Sequence, residues 1–91
     1  MVDIIEKAKS MGKMVCVNSS KDYLELMELA ERKGYTWYSG AKPLVKRYDL
    51  IKGLPLLIGF YLERDRKYLN FTKNMGYAYI NYESKRGNTL W

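Results

Sequence analysis

Tyr77 and Tyr79 stand two residues apart, so in a strand both rings project from one face while Ala78, Ile80 and Tyr82 face the other way. Paired aromatics of this kind can stack on unpaired bases, and Lys67, Lys73, Lys85 and Arg86 lie close enough in sequence to neutralise phosphates. Trp37, Tyr38, Tyr48 and Trp91 are the other candidates for contact, as anchors on a protein partner, because aromatics dominate interface hot spots. Against both, Tyr is a good strand residue and Lys and Arg keep strand faces and edges soluble.

Catalysis is harder to build. The 91 residues contain no histidine and one cysteine, Cys16, which excludes a Ser-His-Asp triad, an imidazole base, a two-His metal site, a disulfide within the chain and a thiolate zinc cage. Glu63, Arg64, Arg66 and Lys67 form one charged cluster, but it falls at an expected hairpin tip, where charges usually serve solvation. The seven glycines are scattered and make no phosphate-binding loop. Cys16 sits in the apolar run Met14-Val15-Cys16-Val17 and reads as a small buried hydrophobe. The expectation is a protein that is not an enzyme and holds no cofactor or metal.

The formal charge of +6 is localised. Through Gly34, six basic residues balance six acidic ones; from Tyr35 onward ten basic residues face only Asp49, Glu63, Asp65 and Glu83. Twelve of the thirteen aromatics are in that second part, with Tyr23 the exception. So few carboxylates argue against imitation of a DNA backbone. There is no apolar run of about 18 residues, so no membrane-spanning helix is expected, and Asp3 and Glu6 interrupt the layout of a signal peptide.

These residues must be carried by one domain over 1–91, with 83–91 as a flexible tail. Apolar spacing predicts a helix over Val2–Met11 stopped by Gly12, then a strand over Lys13–Asn18 covered on both sides. Ser19 or Ser20 caps a helix over Lys21–Lys33, closed by a left-handed Gly34. A short strand Tyr35–Tyr38 ends at the Ser39-Gly40 turn, and Leu44–Ile51 has the spacing of a short third helix. Strands Pro55–Glu63 and Lys67–Thr72 pair through Arg64-Asp65-Arg66, and the Asn74-Met75-Gly76 turn leads to a strand Tyr77–Tyr82. The order α-β-α-β-(α)-β-β-β describes an α+β domain with helices packed on a mostly antiparallel sheet of about five strands.

Gly76-Tyr77-Ala78-Tyr79-Ile80-Asn81-Tyr82 resembles the RNP1 strand of RNA-recognition motifs, which implies Tyr77 and Tyr79 as stacking residues. Met75 replaces the usual leading cation, Val15 and Ser19 depart from the companion strand, and only nine residues follow Tyr82 where that family needs another helix and strand. A broader resemblance rests on Leu24-Glu25-Leu26-Met27 followed by Ala30-Glu31-Arg32-Lys33-Gly34-Tyr35-Thr36-Trp37-Tyr38-Ser39-Gly40. With its Tyr- and Lys-rich hairpin, this stretch is similar to short uncharacterised accessory proteins of phages and prophages. It implies a protein that binds host machinery in the cytoplasm of a bacterial host cell, most simply a host protein. Single-stranded nucleic acid held on the Tyr/Lys-rich sheet is the alternative. The chain also resembles small mRNA-cleaving toxins in size, charge and α+β content; these can work with Arg, Lys, Tyr and a carboxylate, and Arg64, Arg66, Lys67 and Glu63 form such a cluster, though at the expected hairpin tip. A Tyr-rich strand edge also allows pairing with a second copy.

Overall fold

The computed structural model describes residues 3–44 and 53–83. Helix α1 spans Ile4–Met11. The Asp3 carboxylate accepts from the Glu6 N–H at 2.9 Å and makes Asp3 the N-cap. Helix α2 spans Ser20–Arg32, capped by Ser19, whose hydroxyl accepts from the Asp22 N–H at 3.1 Å. Both helices end in the same way. Gly12 and Gly34 take left-handed φ values of 66° and 86°, and the next residues, Lys13 and Tyr35, donate back to the Ala8 and Ala30 carbonyls. That pattern satisfies the last carbonyls and needs a residue without a Cβ penalty.

Five strands follow the expected order: β1 (Met14–Val17), β2 (Thr36–Trp37), β3 (Leu56–Glu63), β4 (Arg66–Thr72) and β5 (Tyr79–Asn81). They form one mixed sheet in the spatial order β2-β4-β3-β1-β5. The long β3/β4 hairpin and the β1/β3 pair are antiparallel; β2 runs parallel to β4, and β5 parallel to β1. The fold is therefore α+β, two helices on a mostly antiparallel sheet. The hairpin turn is tighter than Arg64-Asp65-Arg66, since Arg66 already pairs with Glu63. β5 does not fold back on β4 after the Asn74 turn. It crosses to the far edge, where the Met14 N–H donates to the Ala78 carbonyl and the Tyr82 N–H to the Cys16 carbonyl.

Both helices bury their side chains on one side of the sheet. Ile4, Ile5 and Ala8 from α1 and Tyr23, Leu26, Met27 and Ala30 from α2 meet Val15, Val17, Leu56, Ile58, Phe60 and Leu69. Strand alternation sends Met14, Cys16, Leu57, Gly59, Tyr61, Tyr68, Asn70 and Thr72 to the opposite side. Cys16 and Leu57 are fully buried there as well, so β1 is covered on both faces. Of the expected Leu44–Ile51 helix only Leu44 is described, in an exposed turn, and residues 84–91 of the expected tail also lie outside the described residues. Among the described residues, no helix is long and apolar enough to cross a membrane.

Candidate functional site

β3 is longer than β1. It pairs with β4 from Leu57 to Glu63, but with β1 only from Leu56 to Ile58. Beyond Ile58 the sheet is notched, and the notch opens into a groove of about 720 Å³. Gly59 and Met14 line it on the sheet, Tyr61 and Tyr68 stand to one side, Tyr77 comes from the loop before β5, and Lys13 follows α1.

The tyrosines on this side are organised by register. Tyr61 and Tyr68 are directly opposed across the hairpin, and their rings stack at 5.3 Å between centroids with 27° between planes. Tyr68 meets Tyr38 edge-on at 5.2 Å, so the row continues from β3 through β4 to the turn after β2. The Tyr61 ring lies back along its own strand over Gly59, which presents no Cβ to lift it. Arg66 fixes the far end. Its guanidinium donates to the main-chain carbonyls of Trp37 and Tyr38 and lies 4.9 Å from the centre of the Tyr38 ring. Partial burial, and next the Glu63 carboxylate, push the Tyr68 phenol above its usual range, so it stays a neutral ring at physiological pH. Offset-stacked and edge-on pairs each add about 0.5–1.5 kcal/mol to simple burial, which makes the row a stiff surface.

The candidate residues separate in space. Tyr77 and Tyr79 are both exposed, Tyr79 opposite Met14 on the β5 edge and Tyr77 across the groove from Tyr61. Tyr38 is exposed at one end of the row, but Trp37 is 4 % exposed and packs edge-on against Phe71 in the core. It serves the fold and offers no surface anchor. Lys67 projects to the helix side. Its ammonium donates to the Lys33 carbonyl at 3.1 Å and lies 5.7 Å from the centre of the Tyr35 ring, away from the tyrosine row. Lys73 is exposed in the turn after β4. Tyr48, Trp91, Lys85 and Arg86 lie outside the described residues.

At the hairpin tip Arg66 and Lys67 turn to different main-chain carbonyls on opposite sides of the sheet, and the charged cluster does not converge. Burial pushes the Cys16 thiol up, which leaves it neutral. Among the described residues no group of three carboxylates or thiols could hold a metal ion. Tyr61, Tyr68 and Lys13 were not among the residues that the sequence reading singled out. The available signal was the Gly59-x-Tyr61 spacing, since a glycine inside a strand often marks a close approach.

The chain matches no protein-family model, no curated protein and no solved structure.

Proposed function

We propose that the protein is a non-catalytic contact module of accessory type, and that the side of its sheet opposite the helices holds single-stranded nucleic acid. The observation that carries this reading is the Tyr61 ring, its phenol end over Gly59, stacked on Tyr68, and lining a groove that Tyr77 also lines. Such a surface suits an unpaired base. Base–aromatic stacking contributes about 1–3 kcal/mol per base and tolerates any sequence. Bases inside a duplex are already stacked and cannot reach the ring. The +6 charge supplies the general attraction to phosphate.

Fluorescence anisotropy with a labelled oligothymidylate tests this. The labelled strand should bind, unlabelled single strands should displace it, and duplex of the same length should compete poorly. Equal competition by duplex, or unchanged binding by a Tyr61→Ala variant, defeats the reading.

Contact with a host protein is the second reading, favoured by Tyr38 and Leu62, which are 61 % and 60 % exposed. Capture from bacterial lysate with and without nuclease separates the two. A stoichiometric protein retained after nuclease supports contact with protein.

A further inference from the structure

Resting on the single-strand reading, we infer that Lys13 is the phosphate contact for the base stacked at Tyr61, with Lys9 beside it, and that Lys67 and Lys73 do not take this role. The groove is electrostatically lopsided. Among the described residues, the cations lining it are Lys9 and Lys13, at the C-terminal end of α1, and the carboxylate lining it is Glu63, beyond Tyr68 at the opposite end. A base laid on Tyr61 can turn its sugar and phosphate toward α1, whereas at the other end Glu63 stands opposite Arg66, whose guanidinium is already bonded to the Trp37 and Tyr38 carbonyls.

The two lysines are not equivalent. Lys9 is already engaged: its ammonium donates to the Tyr35 hydroxyl at 2.9 Å and lies 5.6 Å from the centre of that ring. Lys13 is half-buried at the groove, immediately after the left-handed Gly12, and among the described residues its ammonium has no ion pair or side-chain hydrogen bond. The main-chain bond from Lys13 to the Ala8 carbonyl, at 2.9 Å, fixes where the side chain starts. A half-buried lysine that lines the groove, is fixed at its backbone and has no anion beside it among the described residues is placed to accept one. Lys67, by contrast, is not among the described residues that line the groove, and its ammonium is bonded to the Lys33 carbonyl.

The test compares the salt dependence of oligothymidylate binding in the wild type, Lys13→Gln and Lys73→Gln. Each phosphate contact on a single strand contributes about 0.7 to the slope of log K against log salt. Lys13→Gln should lower the slope by about 0.7, while Lys73→Gln should leave it unchanged. Thermal melts would show that both variants remain folded. A slope lowered by Lys73→Gln and not by Lys13→Gln overturns the assignment, and the single-strand reading survives if Tyr61→Ala still abolishes binding. No binding by the wild type at low salt removes that reading and the assignment together. Displacement by polyglutamate as effective as by oligothymidylate would also overturn the assignment, because charge alone would then explain the contact.

Discussion

The ring of Tyr61 occupies the space that a side chain on Gly59 would need: a Cβ at residue 59 would stand 2.7 Å from Cζ and 2.9 Å from Cε2 of that ring. Real Cβ atoms do not approach so closely, and the colliding atoms belong to the far end of a movable side chain. In Gly59→Ala the ring should therefore swing away and the strand should survive. Alanine is also the better strand residue by about 0.5–1 kcal/mol. The variant should keep its melting temperature within a few degrees, yet lose oligonucleotide affinity by the 1–3 kcal/mol of one stacked base, about 5- to 150-fold. Anisotropy and circular dichroism on one sample check both halves, and a variant that binds normally removes the Tyr61 ring from the site.

Tyr82 ties the β5 edge to α2, its hydroxyl donating to Glu25 Oε1 at 3.0 Å. Burial first, and then this bond to Glu25, raise its phenol well above the usual value. The folded state thus holds the proton more tightly than the unfolded chain, where a tyrosine ionises near pH 10. The stabilisation is complete below that pH and is lost as pH climbs toward the folded value. Tyr82→Phe should cost about 1 kcal/mol at pH 7. Its stability should then fall less than that of the wild type between pH 10 and 11, so that the two urea midpoints converge. Parallel declines would show that the hydroxyl is not the titrating link.

On the acid side, the Lys33 ammonium lies 2.9 Å from both Asp3 Oδ2 and Glu6 Oε1 and so clasps the start of α1 to the end of α2. Partial burial works against Asp3, but the Glu6 N–H and then Lys33 outweigh it, and Asp3 ionises below its usual range. Lys33 lowers Glu6 in the same direction. Stability from these carboxylates is present above about pH 4 and is lost as pH falls through their lowered values. Both sit near solvent, so the pair is worth at most about 1 kcal/mol. Lys33→Gln should flatten the decline in urea midpoint between pH 5 and pH 2.5, and an unchanged acid limb would show that the clasp carries no stability.

Arg66 reaches two carbonyls and two rings at once, lying 4.9 Å from the centre of Tyr38 and 5.9 Å from that of Tyr68. A lysine has neither the planar fork nor the stacking surface. In Arg66→Lys the β2 turn should loosen. The Gly40 amide, bonded to the Trp37 carbonyl at 2.7 Å, should exchange about fivefold faster, as expected for the loss of about 1 kcal/mol. Hydrogen exchange read at Gly40 decides it.

The helices and the hairpin were legible because their signals are local. Ser19 before an apolar periodicity, Gly34 after it, and Arg64-Asp65 between two β-rich runs each act within a few residues. The place of β5 was not legible. Alternation in Tyr77–Tyr82 puts Tyr82 on the face away from Tyr77 and Tyr79, and in the structure it is buried, but alternation has the same period whichever strand is the neighbour and does not choose β1. Trp37 shows the same limit. Its type suited an interface anchor equally well, and only the parallel pairing with Leu69 turns it to the core. The Tyr61–Tyr68 stack depends on hairpin register, and Arg66 moved it by one residue relative to the expected turn. The signal in Gly59 was visible, but it has meaning only once the ring that covers it is known.

The pairing of β5 with β1 has a kinetic side. Met14 meets Tyr79 across about 65 residues of intervening chain, whereas the β3/β4 hairpin closes through a two-residue turn. The entropy of closing so long a loop must be met before the parallel ladder returns any hydrogen bonds. The hairpin that carries Tyr61 and Tyr68 needs only local contacts, while the wall bearing Tyr77 depends on the pairing of β5 with β1 at the far edge of the sheet. The groove is thus completed by the strand pairing of longest sequence separation among the described residues. Loosening the β5 edge would therefore remove the Tyr77 wall and leave the stacked rings of the hairpin in place.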